Sequence, residues 1–280
     1  TDAGIKTERR DGLRVTSDAV MSVARPLMYK ENLRLVEALE DKGIRARGIQ
    51  HGVFLCSYLD QKNLGLVGEV EQVELSAVES AVRSGAVPVL TCLGESTSGQ
   101  VLNINADIAT RELVWKLRPH KVIFLSPTGG LLDRQDRIIS AVSLTNDYEA
   151  LMQQPWLHSG MRLKLQQINE MLQRLPDDSS VSITSAAHLT RELFTYRGAG
   201  TLVRKGESIN VFEDPEAETL ATVKKLVEHS FQRKLRNDWF ERLKEPLVLL
   251  SETGRAAAIM TRGVDGLPYL DKFTVTSEAQ

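Results

Sequence analysis

The chain has few of the features that place a protein quickly. Its two cysteines, Cys56 and Cys92, are too few for a disulfide framework. Each lies in an apolar run (53–56 and 89–93), which suits buried thiols in a reducing compartment. No apolar stretch approaches the roughly 20 residues that span a bilayer, so no membrane partner is expected. Neither charge sign dominates. Thirty-five Lys and Arg against 37 Asp and Glu leave a net charge of −2, without a basic run dense enough to cover phosphates on a duplex, and nucleic acid is excluded as a partner. The histidines, His51, His120, His158, His188 and His229, lack the pair spacing of a metal site. Gly-x-Ser-x-Gly, Gly-x-x-x-x-Gly-Lys-Ser/Thr and Gly-x-Gly-x-x-Gly are all missing, which removes support for hydrolase, P-loop and dinucleotide readings. The start, Thr1-Asp2-Ala3-Gly4, is neither a signal peptide nor an initiator methionine, and the expectation is a fragment of a longer parent.

What is present is a globular composition, 42% apolar and 26% charged over 280 residues, enough for one substantial core and a second small one. A helical pattern begins at Thr16 or Ser17 and runs to Lys42, where Gly43 ends it; Pro26 is expected to kink or split it. The chain then alternates: strand 68–73, helix 75–84, strand 86–91, helix 106–117, strand 121–126. Such alternation predicts parallel pairing in an α/β layer fold. A hairpin is expected over 131–142. A helix follows over 161–175, with Leu165, Ile168, Leu172 and Leu175 on one face, and then a strand at 181–184, a helix near 187–194 and a strand at 200–204. Gly, Glu, Ser, Asn, Asp and Pro interrupt the apolar pattern over 206–216, which reads as a linker. Beyond it come a helix over 217–231 and three antiparallel strands, too little for an independent domain of ordinary size.

Several motifs have the chemistry of a site. In Asp11-Gly12-Leu13-Arg14-Val15-Thr16 an arginine follows a glycine just before a helix, where a planar cation could hold a small carboxylate bidentately. The alternative is a solvated arginine, with Thr16 capping the helix. Asn103, Asn105 and Asp107 alternate with apolar or small residues and so point the same way from an extended segment; capping by Asn105, with Asp107 favouring the helix dipole, is the competing explanation. The glycine-bounded turn 94–100 precedes them, at a place where open parallel sheets hold ligands. Ser126-Pro127-Thr128-Gly129-Gly130 offers unhindered amides after a strand, and Gly198-Ala199-Gly200-Thr201 is a second glycine turn; simple loops explain both as well. Lys164, near a helix start, fits either a solvated position or a phosphate contact.

In their order along the chain, the segments 11–16, 99–107, Gly160-Met161-Arg162-Leu163-Lys164 and 198–201 resemble acetylglutamate kinases of the amino-acid kinase family. The stretches 46–54, 151–156 and 192–195 resemble the branch in which that kinase is fused to an acetyltransferase, and Tyr269-Leu270-Asp271-Lys272-Phe273 resembles a central strand of the second domain. The resemblance implies an α/β fold, an amino-acid-kinase-like mainly parallel sheet sandwiched by helices and N-terminally truncated, over 1–205. The linker 206–216 and the first part of a truncated α+β GNAT-type acetyltransferase over 217–280 would follow. The implied activity is transfer of the ATP γ-phosphoryl group to the side-chain carboxylate of N-acetyl-L-glutamate in arginine biosynthesis, with Mg2+ arriving on ATP and acetyl-CoA serving the complete second domain. Arg14 and Asn103 would hold the substrate's α-carboxylate, with Gly12, Leu13 and Asn105 shaping that pocket. Lys164 would neutralise charge on the transferred group, and Asp107 would orient Lys164. Pro127, Thr128, Gly129, Gly130, Leu131 and Leu132 would line the nucleotide site, with Gly200 and Thr201 nearby.

The family pattern also has a Lys-x-Gly-Gly turn and a His-Gly-rich turn upstream of Asp11, and a Gln-x-x-Gly-x-Gly/Ala loop that would begin after Gln280. The expectation is therefore that the 280 residues alone are inactive. Three readings stay open for the parent: a bifunctional kinase and synthase, an N-acetylglutamate synthase with a non-catalytic kinase-like domain, and a domain that senses L-arginine without chemistry. The resemblance further implies a homo-oligomer, a tetramer in the parent, in the cytoplasm or alternatively in the mitochondrial matrix.

Overall fold

In the computed structural model, residues 8–10, 12–195 and 198–276 are described; Asp11 of the first motif lies outside them. The chain divides into two compact units. One comprises residues 1–140 and 152–202, the other 141–151 and 203–280.

The first unit contains the helix Asp18–Glu40, capped by Ser17, whose hydroxyl accepts from the Val20 amide at 3.3 Å. Thr16, the other cap candidate, is fully buried and bridges to Gly65. The expected break at Pro26 does not occur. Pro26 and Ser22, whose carbonyl loses the proline's missing N–H, are both exposed, so the lost bond falls on the solvent side rather than in the core, and the helix continues.

Parallel pairing joins Ala46–Ile49 to Val87–Leu90 and Lys121–Leu125 to Ser180–Thr184, as alternation predicts. Gly68–Val73 departs from it, running antiparallel to Phe54–Tyr58. The connection over 59–67 is shorter than the dozen or so residues a parallel crossover requires. The strands Leu93–Glu95 and Val101–Asn103, also antiparallel, complete that sheet. Instead of a full hairpin over 131–142, the structure has a single bridge between Leu132 and Ile138 and a short strand, Ala141–Ser143.

The helix Ser159–Arg174 buries Leu165, Ile168 and Leu172 almost completely, as its spacing predicts, together with Met171. Phe54, Cys56, Leu93, Leu102, Ile104 and Ala109 form the centre of another core. Within it, burial, reinforced by the Glu71 charge, pushes the Cys56 thiol up to about 12. The raised value means that the folded protein favours the thiol. This contribution is full below the ordinary thiol pKa and is lost as pH rises toward about 12. Cys56 should therefore carry about a thousandfold less thiolate at pH 8 than an unperturbed cysteine. Its reaction with a disulfide reagent should be negligible until denaturant is added; fast labelling of the native protein would contradict this burial.

The second unit carries four antiparallel strands in the order Ile209–Phe212, Leu247–Ser251, Ala256–Arg262, Pro268–Val275. Helix Ala217–Phe231 supplies Val223, Leu226 and Val227 to a core with Val248, Ala257 and Ile259. The expected linker 206–216 thus contains a strand. Ile209–Phe212 is an edge strand in which Ile209, Asn210 and Val211 are exposed and Phe212 packs on that core; four residues set among Gly, Glu, Ser and Asp are too few to stand out as a strand.

Candidate functional site

Gly12 adopts φ +83°, a left-handed turn that closes the small antiparallel pair Arg9–Arg10 and Leu13–Arg14. A Cβ at Gly12 would lie 3.0 Å from Leu163 Cδ2, so this turn packs on the helix Ser159–Arg174. Thr16 anchors the chain just beyond this turn. Its hydroxyl donates to the Arg14 carbonyl at 2.9 Å and accepts from Asn103 Nδ2 at 3.1 Å. Its backbone N–H donates to Leu64 at 2.9 Å, and its carbonyl accepts from Leu66 at 2.7 Å.

Gly12, Leu13, Arg14, Asn103 and Asn105 all line one cavity of about 270 Å³, with Thr16 in its wall. Arg14 is exposed and its side chain makes no hydrogen bond or ion pair with any described residue, leaving the guanidinium available to an anion. Asn105 caps the helix Ala106–Leu117, its Oδ1 accepting from the Asp107 and Ile108 amides at 2.9 and 3.3 Å; its amide nitrogen has no partner among the described residues.

The expected convergence of Asn103, Asn105 and Asp107 fails at the third residue. The two-residue period ends where the helix starts at Ala106, and Asp107 turns out of the cavity toward Lys164. Lys164 Nζ donates to Asp107 Oδ1, and its ammonium lies 4.2 Å from the centroid of the Phe124 ring. Both charged side chains are about four-fifths buried, at 19% and 18% exposure, which strengthens their attraction beyond that of a surface pair.

The turn after Lys121–Leu125 lines a second cavity, of about 180 Å³, through Thr128, Gly130, Leu131 and Leu132, with Trp156 and Met161 opposite. Pro127, Gly129, Gly200 and Thr201 are not in its lining. Gly200 and Thr201 act from behind. Thr201 Oγ1 accepts from the Leu131 amide at 2.7 Å, while a Cβ at Gly200 would stand 2.1 Å from the Ile183 carbonyl oxygen and 2.7 Å from that of Gly129. The first turns of Ser159–Arg174 connect these parts: Met161 borders the second cavity, Leu163 touches the Gly12 turn, and Lys164 carries the cation.

Phe124 was not indicated by the sequence motifs, since it lies in an ordinary apolar strand, and Thr16, which closes the first motif, was indicated only as a helix cap. Glu192 was also missed as an individual residue. Its carboxylate accepts from Lys121 Nζ at 2.6 Å, Ser182 Oγ at 2.7 Å and the Ala199 amide at 2.8 Å. Burial alone would raise its pKa; the hydrogen bonds from Lys121, Ala199 and Ser182 outweigh burial and hold it below the ordinary glutamate value.

A cavity with an arginine unpaired among the described residues, a glycine turn at the carboxyl end of a parallel strand and a largely buried lysine held by aspartate together suit a small carboxylate and a phosphorylated co-substrate. Residues 1–185 match the family model described as "Amino acid kinase family", and the chain belongs to that family. Within it, the chain is 47% identical over 282 residues to an acetylglutamate kinase of Xanthomonas campestris pv. campestris, covering 99% of this chain and 66% of that protein. An acetylglutamate kinase of Xylella fastidiosa is 46% identical over 280 residues, covering 100% of this chain and 66% of that protein. The chain thus spans 66% of the length of these relatives. A solved structure of N-acetylglutamate synthase from Neisseria gonorrhoeae, complexed with coenzyme A and N-acetylglutamate, shares the fold. Its TM-score is 0.73 at 17% identity, over 100% of this chain and 67% of that one.

Proposed function

We propose that the protein transfers the γ-phosphoryl group of ATP to the side-chain carboxylate of N-acetyl-L-glutamate, a step of arginine biosynthesis. The observation that carries this reading is the Lys164–Asp107 pair, whose lysine helix also touches the Gly12 turn and borders the cavity under the 128–132 turn. Arg14 and Asn103 hold the α-carboxylate, while Gly12, Leu13 and Asn105 shape the pocket. Residues 127–132 receive the nucleotide, backed by Gly200 and Thr201, and Mg2+ enters on the ATP phosphates. A carboxylate oxygen of the substrate forms a bond to the γ-phosphorus as the bond to the β–γ bridging oxygen breaks. ADP leaves, and no proton has to move because the acceptor is already ionised. Lys164 neutralises the oxygens on which charge accumulates, and Asp107 keeps its ammonium in place.

Residues 217–280 are read as the first part of a GNAT-type acetyltransferase domain that uses acetyl-CoA, a reading supported by the fold likeness across the whole chain. L-arginine as effector, a homo-oligomer (a tetramer in the parent) and a cytoplasmic location, with the mitochondrial matrix as alternative, belong to the same proposal. No helix among the described residues is long and apolar enough to cross a membrane. The competing reading is a synthase whose kinase-like domain only senses arginine; the intact Lys164–Asp107 pair favours the kinase over it.

The deciding assay traps acyl phosphate with hydroxylamine from ATP and N-acetylglutamate, using the full-length gene product. A parallel assay supplies acetyl-CoA and glutamate. Acyl phosphate formation supports the kinase, whereas acetyl transfer alone would leave the synthase reading. Arg14→Ala should weaken N-acetylglutamate binding by roughly 10- to 150-fold, the worth of about 1.5–3 kcal/mol for a charged hydrogen bond. ATP affinity should stay within about twofold, since Arg14 does not line the second cavity. Equal weakening of both ligands in titration calorimetry would count against the assignment of Arg14.

A further inference from the structure

We propose that Glu192 is a positioning residue for nucleotide binding, holding the 198–201 turn in the one arrangement that supports the backbone of 129–131. The proposal rests on the nucleotide site assigned above and names a residue that touches no part of that site's lining.

Glu192 lies on the short helix Leu189–Phe194, and its side chain is only 5% exposed. A carboxylate so deeply placed is costly unless its oxygens are fully engaged. Here they are engaged by three separate segments. Lys121 belongs to one strand, Ser182 to its parallel neighbour, and Ala199 to the glycine turn. Lys121 Nζ also donates to the Glu192 carbonyl at 3.1 Å, so the helix is fastened at both backbone and side chain. Gly198 accommodates the approach: a Cβ there would be 2.5 Å from Glu192 Oε2.

The influence of this carboxylate passes along the turn. With the Ala199 amide fixed, Gly200 is seated against the carbonyl oxygens of Ile183 and Gly129, a place too close for any side chain. Thr201 then presents Oγ1 to the Leu131 amide and lies 2.9 Å from where a Gly130 Cβ would be. Gly130 and Leu131 line the second cavity directly. None of the residues that bond Glu192 lines the Arg14 cavity. A buried ion pair is a poor source of stability for its own sake, because an apolar replacement often does as well. Its value here is directional: three donors converge on one carboxylate, and one of them is the amide that sets the turn.

The test measures ATP and N-acetylglutamate binding by calorimetry, and amide exchange of 198–201 by mass spectrometry, for the full-length protein and its Glu192→Gln and Glu192→Ala variants. If the turn of Glu192→Ala is correctly placed a tenth of the time, its ATP Kd rises about tenfold. N-acetylglutamate affinity should stay within about twofold, and exchange at 198–201 should accelerate. Glu192→Gln keeps the shape and one acceptor oxygen, so it remains testable if the alanine variant does not fold; its ATP Kd should rise about threefold with exchange intermediate. Wild-type ATP affinity in both variants would overturn the positioning role. So would equal loss of both ligands, which marks a general structural defect. Failure of the wild-type protein itself to bind ATP would instead overturn the nucleotide-site assignment, an outcome distinct from any difference between variants.

Discussion

Lys164→Ala lowers ATP-dependent acyl phosphate formation by roughly 10²- to 10³-fold, the usual effect of removing one donor aimed at developing charge in a partly buried site. N-acetylglutamate affinity changes by less than about twofold, because Lys164 is not among the residues lining the Arg14 cavity. The ammonium has a defined place: Asp107 holds it from one side and the Phe124 ring lies 4.2 Å away on another, so it need not be gathered from solvent when the phosphoryl group arrives. Lys164→Arg should not restore the rate, since a guanidinium spreads its charge over a plane and fixes its donors in a fork, where the ammonium concentrates its charge at one atom. Asp107→Asn should lower kcat less, removing the orienting charge but leaving the cation. The double variant should fall short of the summed losses, because the two side chains act as one unit. Steady-state kinetics on the four proteins, alongside thermal unfolding, tests this; additive losses would mean that Asp107 and Lys164 act independently.

Gly200→Ala costs at least about 3 kcal/mol of folding stability and removes ATP binding. The new methyl would be 2.1 Å from the Ile183 oxygen and 2.7 Å from the Gly129 oxygen, and φ at Gly200 is +121°, so strain and collision act together. Both obstacles are main-chain atoms, which cannot swing aside as a flexible side chain would. Gly43→Ala is the matched control. Gly43 has φ +76° with nothing within 4 Å of the added methyl, and its cost should be about 1–2 kcal/mol, the backbone part alone. Urea midpoints of the two variants measure the difference; equal shifts would show that the chain relaxes around Gly200.

The helix Ser159–Arg174 was legible because Leu165, Ile168 and Leu172 repeat at its period, and all three are buried. The Arg14 cavity was legible in its members, although Asn105 spends its oxygen on the helix cap. Other features are properties of distance that spacing cannot express. Phe124 is 40 positions from Lys164, and Glu192 reads as one more acid on a short helix until Lys121 and Ser182 are folded beside it. The antiparallel run of Gly68–Val73 depended on the length of a connection, and continuity past Pro26 on which side of the helix met water. The edge strand Ile209–Phe212 was hidden because it is only four residues long and set among linker-type residues.

Met161, Leu163 and Lys164 serve the second cavity, the Gly12 turn and the cation from within a single helical turn. Each residue of an α-helix advances about 1.5 Å and rotates about 100°. One residue inserted between Met161 and Lys164 would swing the ammonium away from Asp107 while Met161 stayed put, and one deleted would swing it the other way. A loop such as 94–100 has no fixed rotation per residue to keep; this four-residue count has one.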